Sequence, residues 1–214
     1  LDSQGRIEEI RPVIRLRAHE MIEESMLCAN SCAAELLQNR NIPVLYRVHK
    51  GPSKERLSSL REFLGSAGLG LAGGDTPQPS DYQNVLVACK DREDASLIQL
   101  VLLRSMSRAC YQPNNEGHFG LNYSAYVHFT SPIRRYSDLL IHRAIKYALR
   151  VSMDVSKGSD FAMEKAEQFL KPSSLEDLGY LLSFTERRAE EAAREVASWL
   201  KCEFLLDKIG KEVE

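Results

Sequence analysis

Arg134, Arg135, Arg143, Lys146 and Arg150 share the stretch Tyr126–Arg150 with a single acid, Asp138. Five cations against one anion give a local charge of +4 in a chain whose net charge is −2. Tyr126, Phe129 and Tyr136 are interleaved with them. Cations beside flat rings suit a single-stranded nucleic acid, with phosphates on the arginines and bases stacked on the rings. Thr130-Ser131-Pro132 reads as a helix start, Ser131 as N-cap and Pro132 at the first helical position. Arg134 and Arg135 then fall in the first turn, where the backbone dipole is already positive and acids are the rule. Free N–H groups with two added guanidinium groups suit a phosphate. The plainer alternative is a solvated helix start with Arg134 paired to Asp138, above a buried stripe of Ile133, Leu140, Ile141, Ala144, Ile145 and Ala148.

Other chemistry-bearing residues are sparser. Glu23 and Glu24 stand one turn before an uncharged run, Ser25–Ala34, that contains Asn30. A carboxylate entering a buried face could accept hydrogen bonds from a ribose or base, or could pair with Arg15 or Arg17. His118, His128 and His142 are candidates for acid–base work or metal binding, and Asp138 with His142 at i,i+4 could share a metal. Without an HxxxH or HExxH pattern they fit better as satisfied histidines in a core or groove wall. There is no GxSxG elbow, and Gly68–Gly74 lacks the Lys-Ser/Thr ending of a phosphate-binding loop. No cluster of aspartates at short spacing is present, so no metal-ligand set is assigned to this chain. Asp91 and Asp94 read as helix caps.

These residues need a scaffold, and 214 residues suffice for one domain or most of one. An apolar share of 43% with 27% charged residues is that of an ordinary globular chain, not of a protein that coats nucleic acid indiscriminately. Binding must then come from a localised patch. No uncharged run approaches the roughly 20 residues of a membrane span, so no membrane partner is expected. Five cysteines without a CxxC pair read as reduced thiols of a cytoplasmic protein, with Cys28 and Cys32 packed in the core.

The pattern predicts an extended pair over 1–16, folded at Ser3-Gln4-Gly5. A helix should follow over about 17–40, buried nearly all round across Ser25–Ala34. A short strand is expected at Tyr46–Val48, then a helix begun at Pro52-Ser53 that carries Leu57, Leu60 and Leu64. Gly65–Ser80, with five glycines and two prolines, is a surface loop. Helices follow over 81–90 and 94–108, then a turn at Asn114–Gly117. Strand composition over Tyr123–Phe129 leads into the SPIRRY helix. Ser152–Ser173 reads as a variable insertion. A final helix over about 174–207 places Leu178, Leu181, Leu182, Thr185, Ala189, Ala192, Val196 and Trp199 on one buried stripe.

The motifs, taken together, resemble the RNB family of exoribonucleases. HFTSPIRRYSDLLIHR resembles the family's hallmark segment. IEESMLCAN, PVLYRVHKGPS, LGLAGGD, LLRSM, GHFGL and TERRAEEAAREVASWLKCEFL follow in the family's order. The resemblance implies an α+β fold, mainly helical with a few β-strands, as the C-terminal half of an RNB catalytic domain over 1–207. Residues 208–214 would begin a linker to an OB-fold RNA-binding domain. It implies processive 3′-to-5′ hydrolysis of single-stranded RNA to nucleoside 5′-monophosphates, with Mg2+ held by aspartates outside this chain. The expected partners are RNA, without DNA specificity, and the missing N-terminal half of the domain. By resemblance, Arg134 is the catalytic contact to the scissile phosphate and Arg135 is auxiliary. One of Glu23 and Glu24 contacts the 3′-terminal nucleotide, and Tyr126, His128, Thr130 and Ser131 line the RNA channel. The rival readings are a non-catalytic single-stranded RNA-binding module and a helical protein-interaction domain.

Overall fold

The computed structural model describes residues 3, 5–11, 13–153, 172–206 and 209–210. Among them, α1 (Arg17–Asn39), β1 (Tyr46–Val48), α2 (Lys54–Ser66), α3 (Pro79–Ala88) and α4 (Ala95–Ser105) come first. β2 (Cys110–Gln112), a 3-10 turn (Phe119–Leu121), α5 (Tyr136–Met153) and α6 (Pro172–Leu205) complete the order. The class is α+β, mainly helical, as expected. The two strands pair antiparallel with Arg47 opposite Tyr111.

Three apolar clusters hold these elements. Ala33, Ala34 and Leu37 of α1 meet Tyr46 and Val48 of β1 and Ile141, Ala144 and Ala148 of α5. Leu57, Leu60 and Leu64 of α2 pack on Tyr82, Val85, Ile98 and Leu102 of α3 and α4. Leu175 of α6 closes over Leu45, Tyr111 and Leu140. Ser53 caps α2 as its sequence suggests, its hydroxyl accepting from the Arg56 amide. Gly179 is required where α6 crosses β2, because a Cβ there would lie 2.6 Å from the Tyr111 carbonyl oxygen.

Several expectations are corrected. The described part of 1–16 holds no strand pair. Ile10, Val13, Ile14 and Leu16 are exposed, and a lone two-stranded hairpin without a covering layer is marginal. The uncharged run in α1 is buried on one face alone, since β1 and α5 cover one side. Cys28 and Cys32 are therefore exposed rather than in the core. Tyr123–Phe129 forms no strand. Its carbonyl at Tyr126 accepts from the Arg47 amide, but the Phe129 and Thr130 amides go to the Asn30 side chain, which leaves no ladder. The α6 stripe is buried only at its start, through Leu175, Gly179 and Ser183. With 34 residues α6 rises about 51 Å, beyond the body that covers its first turns. Ala189, Ala192, Val196 and Trp199 are exposed. The insertion expected at Ser152–Ser173 falls for the most part outside the described residues, as does the 208–214 linker apart from Ile209 and Gly210.

Candidate nucleic-acid interface

The SPIRR segment is a turn, not the first turn of a helix. The amides of Arg134 and Arg135 both donate to the Ser131 carbonyl, at 3.3 and 3.1 Å, and α5 begins only at Tyr136. Ser131 is thus not an N-cap, and the Arg134 amide is not a free anion donor. The cause is Asp138, in the first turn of α5 and wholly buried. Its carboxylate accepts from the Ser131 amide at 2.7 Å, from Arg135 Nε and Nη2 at 2.8 and 2.9 Å, and from the Ser137 hydroxyl at 3.1 Å. An acid therefore does occupy the positive end of the helix, and it ties the turn down. The ion pair considered for Arg134 belongs to Arg135 instead. Arg134 is left exposed, with no side-chain partner among the described residues, beside the fully exposed Ile133.

Asn30 of α1 builds the other wall. Its carbonyl oxygen accepts from the amides of Phe129 at 2.9 Å and Thr130 at 3.2 Å, and its amide donates to the Tyr126 hydroxyl at 2.8 Å. One buried amide side chain thus fixes the backbone that leads into the turn and orients the Tyr126 ring. Tyr126 stands edge-on to His118 and His128 and stacks on Tyr123, 5.8 Å between centroids.

Between these walls lies a cleft of about 330 Å³. Ile22, Met26 and Leu27 give it an apolar side, and Tyr126 and His128 an aromatic one. Glu23, His19 and Arg135 supply charge and hydrogen-bonding groups. An apolar cavity of roughly 300–1,000 Å³ with a few convergent polar groups is the usual form of a small-ligand site.

The sequence left Glu23 and Glu24 unresolved. Both are exposed; Glu23 lines the cleft and pairs with Arg15, whereas Glu24 does not line it. Tyr126, His128 and Arg135 meet Glu23 there, while Thr130, Ser131 and Arg134 lie outside the lining. The Thr130 hydroxyl is buried without a hydrogen-bond partner among the described residues. His142 stacks on Phe129 at 4.3 Å, and its Nε2 sits 3.0 Å from the Phe129 carbonyl oxygen. With the Asp138 carboxylate already occupied, the two share no metal. Among the described residues no group of three or more His, Cys, Asp or Glu side chains could hold a metal ion, and no helix is long and apolar enough to cross a membrane.

Two histidines packed against Tyr126, His128 in the cleft wall and His118 behind it, are held uncharged at neutral pH. Burial, then the Arg135 and Arg47 guanidinium groups, pushes His128 down to about 3. Burial, then His49 and Arg47, pushes His118 down to about 4. An unfolded histidine takes up its proton near 6.5. Below that pH the unfolded chain binds more protons than the folded one, so stability falls as pH drops from about 6.5 toward these values. The contribution is complete above 6.5. We expect the denaturation midpoint to fall between pH 7 and pH 5, and His118→Gln with His128→Gln to flatten that dependence. An unchanged slope in the double variant would contradict the assignment.

Sequence reading missed Asp138 as the hub of the turn, and it missed Tyr111, Arg47 and Glu186 behind His128. Tyr111 sits in a three-residue strand and Glu186 in a charged helix face, and neither carries a local signal.

The RNB domain family matches residues 1–151. The chain belongs to the RNB family. Ribonuclease R of Vibrio cholerae is 46% identical over 213 residues, covering 100% of this chain and 26% of that protein. Ribonuclease R of Escherichia coli K12 is 45% identical, covering 98% and 25%. This RNB chain thus spans about a quarter of the length of these relatives. Among solved structures, Mycoplasma genitalium RNase R in complex with ribose-methylated single-stranded RNA superposes with TM-score 0.87 at 31% identity, over 99% of this chain and 32% of that one. Yeast Ssd1, a pseudonuclease, shares the fold alone, with TM-score 0.57 at 23% identity over 79% of this chain and 21% of that one.

Proposed function

We propose that this chain is the C-terminal part of the catalytic RNB domain of a cytoplasmic 3′-to-5′ exoribonuclease. The enzyme hydrolyses single-stranded RNA to nucleoside 5′-monophosphates. The observation that carries the proposal is the cleft, in which an apolar and aromatic wall, one carboxylate and one guanidinium converge. End-to-end similarity to ribonuclease R supports it.

In this reading the terminal base lies against Ile22, Met26, Leu27 and the Tyr126 ring. Glu23 accepts from ribose hydroxyls, which deoxyribose offers fewer of, so DNA is a poor substrate. Arg135 has two of its guanidinium nitrogens fixed by Asp138 and contacts a backbone phosphate with what remains. Arg134, on the turn beside it and without a side-chain partner among the described residues, reaches the scissile phosphate. Thr130 and Ser131 shape the channel wall through their backbone. In this reading Mg2+ is held by aspartates outside this chain, as the family resemblance implies; the described residues hold no group of three or more candidate ligands. When bound, such an ion supplies Lewis-acid and water-activating chemistry.

The second reading is an RNA-binding module without catalysis, for which the apolar and aromatic cleft with its one guanidinium would suffice. The full-length protein, given magnesium and a 5′-labelled single-stranded RNA, is expected to shorten it from the 3′ end and release nucleoside 5′-monophosphates. A DNA of the same sequence should persist, and the 214-residue chain alone should release nothing. Tight RNA binding by the full-length protein without monophosphate release would instead establish the non-catalytic module.

A further inference from the structure

His128 is held from behind by Tyr111, which is not among the residues lining the cleft. Its Nδ1 lies 2.7 Å from the Tyr111 hydroxyl. Nε2, on the other side of the ring, has no partner among the described residues and is left to the cleft that His128 lines. We propose that Tyr111 is a positioning residue: its hydroxyl donates to Nδ1, which keeps the ring proton on Nε2 and makes His128 a hydrogen-bond donor to an oxygen of the RNA. The inference rests on the RNA reading of the cleft and deepens it.

Two observations and the chemistry of the ligand support this assignment. The first is that Tyr111 is immobilised well beyond what a two-stranded pairing needs. Its amide donates to the Ser183 hydroxyl at 2.9 Å, and its carbonyl sits so close to Gly179 that no side chain fits there. Its strand partner Arg47 is tied to Glu186 at 2.6 Å. Gly179, Ser183 and Glu186 recur at i, i+4 and i+7, so one face of α6 meets Tyr111 and its strand partner Arg47.

The second observation concerns the direction of the hydrogen bond. The Arg47 guanidinium carbon stands 4.7 Å from the centre of the Tyr111 ring. Burial raises the Tyr111 hydroxyl above its usual range, and the cation on the ring face opposes this, favouring the phenol as donor over acceptor. With Nδ1 accepting, the neutral imidazole must carry its hydrogen on Nε2. The third support is the ligand. RNA presents phosphate and sugar oxygens, and a donor meets either. Gln or Asn at position 128 would supply a donor too, but not at the place the Tyr111 hydroxyl fixes.

His49 makes a useful contrast within the same chain. Its Nδ1 accepts from the Gly120 amide at 2.8 Å and its Nε2 lies 2.7 Å from the Ser107 carbonyl oxygen. Both nitrogens are satisfied internally, so that ring is structural. His128 has one nitrogen tied and one open.

The test is a double-mutant cycle in the full-length enzyme, read as single-turnover cleavage of single-stranded RNA. Tyr111→Phe is expected to slow cleavage about tenfold, the effect of one lost hydrogen bond. In a His128→Ala background the same substitution should change nothing further, because Tyr111 acts only through that ring. An equal loss in both backgrounds, or none in either, would overturn the proposal. Replacing Tyr111 by 3-fluorotyrosine keeps the shape and strengthens the donor, so the rate should hold or rise. A fall of more than about threefold would mean that the phenol accepts from Nδ1. That substitution also decides the matter if Tyr111→Phe fails to fold. Failure of the RNA reading itself has a separate signature, a wild-type protein that neither binds nor cleaves RNA.

Discussion

Asp138→Ala is expected to destabilise the protein by about 3 kcal/mol, the lower end of the cost of breaking a buried ion pair. The lower end applies because the Arg135 side chain keeps 19% of its surface in solvent while Asp138 keeps none. The substitution strands three donors at once: the Ser131 amide, the Arg135 guanidinium and the Ser137 hydroxyl. It also removes the only described side chain that holds the start of the SPIRR turn by its backbone. The denaturation midpoint of the full-length protein should fall, and hydrogen exchange at the Ser131 amide should accelerate. Asp138→Asn keeps the shape and one acceptor oxygen, so its loss should be smaller, about 1–2 kcal/mol. An Asp138→Ala variant as stable as the parent, with the Ser131 amide still protected, would show that the turn is held by other means.

The second large effect is expected at Arg134. If it reaches the scissile phosphate, its planar fork is a preorganised donor to the charge that develops there, and losing one such donor costs about 10²–10³ in rate. Arg134→Ala should therefore slow single-turnover cleavage by that amount. It should change RNA affinity far less, since many contacts along a channel share the binding. Arg134→Lys should rescue little, because a point charge does not reproduce the fork. The side chain is solvent-exposed and without an ion-pair partner among the described residues, so stability should be unaffected. Equal rates for Arg134→Ala and wild type would remove the residue from catalysis.

The elements that could be read from the sequence are those whose stabilising contacts are local or periodic. The amphipathic spacing of Leu57, Leu60 and Leu64 and the Ser53 cap specify α2, and both are in place. Tyr46–Val48 is a strand as its composition suggests. Two of the failures share one cause, a side-chain acceptor that takes backbone amides and overrides local preference. Ser131-Pro132 has the chemistry of a helix start, yet the buried Asp138 carboxylate takes the Ser131 amide and delays the helix to Tyr136. Tyr123–Phe129 has strand composition, but Asn30, 99 residues from Phe129 in sequence, claims its terminal amides. Charge and aromatic density pointed to Tyr126 and Arg135, and the family resemblance to His128; these three line the cleft, whereas Phe129 and Tyr136 do not. Neither signal could choose between Glu23 and Glu24, because that choice depends on which face α1 turns toward Tyr126.

The central claim is that the cleft between α1 and the Tyr126–Arg135 segment seats the end of an RNA strand. A single-stranded RNA carrying 4-thiouridine as its 3′-terminal nucleotide, crosslinked to the full-length protein and mapped by mass spectrometry, tests it most directly. The account predicts crosslinks in peptides containing Met26, Leu27 or Tyr126, and their loss when the label moves to the 5′ end. Crosslinks confined to α2–α4, with none at the cleft for the 3′-terminal label, would contradict it.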